Sequence, residues 1–177
     1  LLMLRAAIGQ RLGSRLILLM PPTMRFAIAL FINCFATIPT CQIPKKEKAF
    51  GLKQRGPTIV LIEPQMGQNI GMVARAMMNC GLADLRLVNP RDEWPNHRAV
   101  AASSGATAII EKAQLFESTE SAIADLQVIY ATTARPRDMT TEVLTPSEAA
   151  TRMQYDAASV IRSGVLFGKE SMGLNND

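Results

Sequence analysis

From Pro57 onward the chain alternates between short, unbroken apolar runs and longer stretches with helical spacing. The runs are "TIVLIEP" (58–64), "LRLVNP" (85–90), "LQVIYATTA" (126–134) and "SGVLFG" (163–168). None sustains an apolar/polar alternation, which is how strands covered on both faces read, and such strands belong to parallel sheets. Between them the spacing predicts helices over 69–80, closed by Gly81, and over 96–104, closed by Gly105. Two more fall over 118–125, opened by Ser118 with Ser121 nearby, and over 146–154, opened by Thr145-Pro146 with Glu148. This strand–helix rhythm predicts the α/β class: a mostly parallel, doubly wound sheet with helices on both faces. No internal repeat or low-complexity tract interrupts it.

Residues 1–56 follow a different pattern and are read as a leader, set apart from the 57–177 domain. "RLILLM" and "MRFAIALFINCFATI" are apolar, and Arg25 before Phe26–Ile38 has the layout of a secretory signal. The second run is short for a membrane span, which needs about 20 residues. Three readings stand: a signal or anchor, a family-specific extension, or an over-long reading frame that includes codons upstream of the true start. The absence of Met at position 1 and the compositional break near Lys45–Lys48 favour the third, so the leader is left out of the expected fold.

Charge sharpens that division. Of the 177 residues, 48% are hydrophobic and 19% charged, enough to bury one good core, and the formal net charge is +4. Residues 1–50 carry seven Lys/Arg against Glu47 alone, whereas residues 51–177 carry twelve basic against fourteen acidic side chains. The basicity belongs to the leader, and phosphate contacts in the domain must come from local patches. Cys34, Cys41 and Cys80 show no metal-ligand spacing and His97 is the single histidine, so no metal site is expected. Sparse, odd cysteines suit a reduced, cytoplasmic protein.

Ligands of open parallel sheets sit beyond the carboxyl ends of the strands, which directs attention to the residues after each run. These are Glu63–Gly71, Asn89-Pro90-Arg91, Thr132–Arg137 and Gly168–Asn175, all rich in Gly, Asn, Thr and Arg. A dinucleotide fingerprint would need G-x-G-x-x-G, and the chain has "GQNIG"; a phosphate-cradling P-loop would need Gly-Lys-Ser/Thr, which is also absent. Taken alone, Gly67 and Gly71 read as a turn glycine and a helix-packing glycine.

The combination says more. Asn69, Gly71 and Arg75 in the spacing N-x-G-x-x-x-R, followed much later by F-G-x-E-x-x-G-L (Phe167, Gly168, Glu170, Gly173, Leu174), resemble motifs one and two of the SpoU-type RNA 2′-O-ribose methyltransferases of the SPOUT superfamily. Between them, "LIEPQMGQNIGMVARAMMNCGLADLRLVNPRD", "ASSGA", "ATTARPRD" and "LFGKESMGL" look like the branch of that family called TrmJ-like, which methylates tRNA. The resemblance runs from about Pro57 to the end and omits the leader.

That resemblance implies a SPOUT-like sheet with a C-terminal trefoil knot, S-adenosyl-L-methionine held in the knot, and a homodimer that shares its active site. It implies ribose 2′-O-methylation of tRNA at the pyrimidine opening the anticodon loop, without metal. Arg75, Asn69 and Glu170 match the catalytic motif positions. Thr132, Thr133, Ala134, Gly168, Gly173 and Leu174 match the cofactor-binding segments, and Arg135, Arg137 and Arg75 are the RNA-binding candidates. A guanidinium, with a pKa above about 12, is a poor general base, so Arg75 is expected to act electrostatically on the ribose or its phosphate. Each residue also has an ordinary reading: Arg75 as a surface arginine paired with Glu63 or Asp84, Asn69 as a helix cap, Glu170 and Arg137 as solvated loop residues. Trp94 reads as a loop anchor, His97 as surface, and Met66, Met72, Met77 and Met78 as core packing.

One departure from the pattern matters. The third family motif, a Ser-Leu-Asn-bearing segment that closes the knot, has no counterpart before Asp177. The knot is therefore expected to be incomplete and cofactor binding by this chain weak. A catalytically inactive RNA-binding or dimerisation fragment of the same fold is the alternative reading, and a membrane partner is expected only if the leader is a true anchor.

Overall fold

The computed structural model describes the backbone of residues 15–19, and residues 56–133, 142–169 and 174 in full. Seven strands are present among them: β1 (Arg15–Leu19), β2 (Thr58–Ile62), β3 (Leu85–Val88), β4 (Gln114–Phe116), β5 (Val128–Thr133), β6 (Glu142–Leu144) and β7 (Ser163–Phe167). They form one sheet in the order β4-β3-β2-β7-β5-β1-β6. Each of its six pairings is parallel. The helices are α1 (Gly67–Asn79), α2 (His97–Ala102), α3 (Thr107–Lys112), α4 (Thr119–Ile123) and α5 (Pro146–Ala158).

The unbroken apolar runs are explained by cover on both faces. In β2, Ile59 and Leu61 join a cluster with Ile70, Val73, Ala74 and Met77 of α1, Ile109 and Ile110 of α3, and Met153 of α5. Val60, between them, faces the opposite way and packs with Ala122 and Ile123 of α4, Ile129 and Leu166. Successive strand residues point to opposite faces, so a strand buried on both must be apolar throughout.

Arg86 breaks that rule in β3 and is 6% exposed. Its guanidinium donates to the carbonyl of Ala122 at 2.6 Å and to Asp125 at 2.5 and 3.0 Å, and lies 5.7 Å from the centre of the Phe116 ring. The hydrogen bond from Arg86 holds the Asp125 carboxyl below its usual range. A buried charge is tolerated because it is paired, and here the pairing ties α4 to the sheet. On the other face the Tyr130 hydroxyl donates to Asp156 at 2.8 Å, joining β5 to α5, and burial pushes its pKa well up.

The four expected strands are all present, three trimmed at the carboxyl end and the third, 126–134, at both, and the four expected helices are present with shifted bounds. The elements not expected from the sequence are α3, β4 and β6, all short, and β1. β1 lies within the leader that was left out of the expected fold, yet it pairs with β5 from Arg15↔Ile129 to Leu19↔Thr133 and with β6. The apolar run "RLILLM" supplies it.

Local caps behave as their chemistry requires. At α5, Thr145 Oγ1 accepts from the Glu148 amide at 3.4 Å and Glu148 accepts from the Thr145 amide at 2.8 Å, a complete capping box. The same helix ends in a left-handed residue, Val160 (φ 59°), where the Ile161 amide reaches back to the Asp156 carbonyl at 2.8 Å. A β-branched residue is strained there, and Val160 is 87% exposed, so its side chain offsets nothing by packing. Val160→Gly is expected to raise stability by about 1 kcal/mol, read as a higher urea midpoint at constant slope.

Candidate active site

Strand order creates the site. β7 lies between β2 and β5, so the segments that leave their carboxyl ends, at Glu63, Gly168 and Thr133, emerge side by side although they are far apart in sequence. Adjacent strands are about 4.8 Å apart. The two motif-bearing turns therefore start from neighbouring positions on one rim.

The first turn is held by tertiary contacts. Glu63 adopts φ 49°, turning the chain off the sheet as its amide donates to the Val88 carbonyl at 2.8 Å. Asn89 does the same at the end of β3, with φ 43° and its side-chain amide donating to the Glu117 carbonyl at 2.8 Å. The Arg91 amide then donates to the Pro64 carbonyl at 3.1 Å, and Arg91 Nη1 to Gln65 Oε1 at 3.2 Å. Asp92 Oδ2 accepts from the Gly67 amide at 3.0 Å, placing a carboxylate at the positive end of α1. Lys169, just beyond β7, forms an ion pair with Glu63.

α1 starts two residues before the predicted boundary, which corrects one expectation, and the face it buries corrects another. Its N-cap is Met66, without a side-chain hydrogen bond, so Asn69 is not the cap; it sits inside the first turn, 3% exposed. The capping function is supplied from outside the helix by Asp92. The buried stripe is Ile70, Val73, Ala74 and Met77, which leaves Met72 and Met78 on the outer side at 39% and 43% exposure. Met66, which precedes the helix, is also 39% exposed, so of the four methionines only Met77 is core. Trp94 packs against the core as expected, and His97 is exposed.

Arg75 is exposed and makes no ion pair among the described residues; Nη1 donates a long hydrogen bond to Ser104 Oγ at 3.4 Å. The acids that its ordinary reading would need are engaged elsewhere. Glu63 holds Lys169, and Asp84 accepts from Thr58 Oγ1 at 2.7 Å and from Arg86 at 3.3 Å. Because α1 begins at Gly67, Arg75 lies about two turns in, about 12 Å along the axis from the rim.

In the segments expected to bind cofactor, Thr132 is buried and its hydroxyl donates to the Leu166 carbonyl at 2.9 Å, tying β5 to β7. Thr133 is half-buried beside it, Gly168 is buried at the end of β7, and Leu174 packs against the core cluster under α4. Ala134, Arg135, Arg137, Glu170 and Gly173 lie outside the described residues, as does the expected knot. The residues that sequence reasoning missed are Asp92, Asn96 and Lys169. Asn96 had a local signal, since its Oδ1 caps α2 by accepting from the Arg98 and Ala99 amides at 2.9 and 3.3 Å. Asp92 and Lys169 had none, because each acts on a partner distant in sequence.

Residues 56–177 match the SpoU rRNA Methylase family. Among curated proteins, the tRNA (cytidine/uridine-2'-O-)-methyltransferase TrmJ of Sodalis glossinidius is 39% identical over 119 residues, 67% of this chain and 46% of that protein. Its Salmonella typhimurium counterpart is 37% identical, covering 67% of this chain and 48% of that protein. The crystal structure of TrmJ from Z. mobilis ZM4 superposes with a TM-score of 0.63 at 47% identity, covering 68% of this chain and 52% of that one. A probable methylase family protein from Haemophilus influenzae Rd KW20 gives 0.61 at 34% identity, covering 67% and 49%. The chain spans about half the length of the curated relatives it matches.

Proposed function

The chain belongs to the SpoU rRNA Methylase family, and from that premise we propose that it is an S-adenosyl-L-methionine-dependent ribose 2′-O-methyltransferase acting on tRNA, at the pyrimidine that opens the anticodon loop. The observation that carries this reading is the adjacency of β2, β7 and β5, which sets the start of the motif-one turn, the start of motif two and the Thr132-Thr133 strand end on one rim. The substrate assignment rests on likeness to proteins named as tRNA (cytidine/uridine-2'-O-)-methyltransferases.

Ribose methylation needs a hydroxyl placed in line with an electrophilic methyl group and help in losing its proton. S-adenosyl-L-methionine would supply that methyl on a sulfonium. Buried Gly168 and the hydroxyl-bearing Thr132 and Thr133, on neighbouring strand ends, suit a ligand that packs against backbone. Ala134, Gly173 and Leu174 complete the cofactor set in this reading, and Arg135 and Arg137 hold tRNA phosphates. Arg75 orients the ribose and favours the developing oxyanion, with Asn69 and Glu170 shaping the site.

Arg75 also supports the proposal of a homodimer. It is carried away from its own rim, and its outer helix face presents Met72 and Met78 one turn on either side. A guanidinium flanked by exposed methionines suits insertion into the site of a second copy. The reading places the protein in the cytoplasm with its tRNA; no helix among the described residues is long and apolar enough to cross a membrane.

The test is transfer of labelled methyl groups from S-adenosyl-L-methionine to unmodified tRNA. The expected result is incorporation at one anticodon-loop pyrimidine, with the adjacent phosphodiester made resistant to alkali because its 2′-hydroxyl is blocked. A 2′-deoxy substitution there should abolish incorporation. A chain that retains tRNA or self-associates without transferring methyl would instead be the inactive fragment.

A further inference from the structure

At the rim between β2 and β7 a side-chain bridge takes over where the backbone ladder ends. The register pairs Leu61 with Phe167, and carried two residues on it sets Glu63 opposite Lys169, the two residues that form the ion pair. Glu63 reaches this position in a left-handed conformation that L residues adopt at a cost. Its carbonyl also accepts from Gln65 Nε2 at 3.3 Å, so the same residue organises the start of the motif-one turn. Lys169 stands between Gly168 and Glu170, inside motif two. No strand separates β2 from β7, and the ion pair joins the residues that follow their ends.

We propose that Glu63 and Lys169 are a positioning pair for methyl transfer: the bridge fixes the end of β7, where motif two begins, against the motif-one turn, so that groups held by each meet at the reacting atoms. The proposal rests on the methyltransferase reading above. Stability is not its purpose. The side chains are 43% and 30% exposed, and half-exposed ion pairs contribute only about 0–1 kcal/mol. Geometry is another matter, because a displacement of about 1 Å in a reacting arrangement can cost a hundredfold in rate.

The experiment is a double-mutant cycle on the full chain, measuring methyl transfer to tRNA together with melting temperature. Glu63→Gln and Lys169→Met are each expected to lower kcat by about tenfold, with KM for tRNA and the melting temperature little changed. The double variant should be no worse than either single one, and the charge-reversed pair Glu63→Lys with Lys169→Glu should recover part of kcat. Losses that multiply in the double variant, or fall on KM alone, would overturn the pair while leaving the methyltransferase reading intact. A wild-type chain that transfers no methyl group would overturn that reading, and the positioning role with it.

Discussion

Arg75→Ala is expected to lower kcat for methyl transfer by about 10²–10³-fold while leaving the fold unchanged, the range found when one preorganised oxyanion donor is removed. The two halves of that expectation have separate grounds. The fold should survive because the side chain is exposed and its described partner, Ser104, is 3.4 Å away at the limit of hydrogen bonding. Substitutions of that kind usually change stability by no more than about 0.5 kcal/mol. The rate should fall because no carboxylate among the described residues neutralises the guanidinium, which leaves its charge available to a phosphate or an oxyanion. Arg75→Lys keeps the charge but loses the planar fork, and should fall between the two. Single-turnover rates alongside thermal melts make the measurement. Turnover within about twofold of wild type for Arg75→Ala would remove the residue from the chemistry.

Gly71→Ala is expected to produce the largest loss of stability, about 3 kcal/mol or more, which is a large part of what a domain of this size has in total. A Cβ at position 71 would stand 2.2 Å from the Ala99 carbonyl oxygen, 2.8 Å from the Ala102 Cβ and 3.0 Å from the Ser103 amide nitrogen. Two of these are backbone atoms of α2 and the turn after it, so relief requires α1 and α2 to separate along their contact. Gly67→Ala offers a comparison. Its Cβ would meet the Asn96 side-chain amide at 2.5 Å, a group that can rotate away, although Asn96 also caps α2. Urea unfolding should rank wild type above Gly67→Ala above Gly71→Ala. Equal midpoints for wild type and Gly71→Ala would refute the close helix contact.

Gly71 shows why a motif position can carry two meanings. Its spacing from Asn69 and Arg75 marks the family, yet its physical role within this chain is to let one helix approach another. The ordinary reading of a packing glycine was legible from the sequence; the partner it packs against was not, because α2 lies beyond an intervening strand and loop. The same holds for the methionines. Helical spacing was visible, but which face is buried is decided by the elements that α1 packs against, and its start is a tertiary matter too. That start is set by Asp92 on another loop rather than by a local cap.

The bounds of the elements were least legible where local chemistry is weakest. α5 carries its own capping box and begins at Pro146, as predicted. α1 has no side-chain cap and begins two residues early. α3, β4 and β6 have six residues or fewer, and such short elements exist because neighbours pair with or cover them.

By itself the sequence determined the α/β class, the covering of the sheet on both faces, and the motifs that mark the family. These follow from side-chain hydrophobicity and from residue types at short range, both written directly in the chain. Only the tertiary structure decided that β7 inserts between β2 and β5, that Glu63 meets Lys169, that Asp92 closes the end of α1, and that Arg75 stands exposed about two turns from the rim. Those are contacts between residues distant along the chain. A local pattern cannot specify them, because strand order and the choice of charge partner are settled by packing of the whole sheet and its helices.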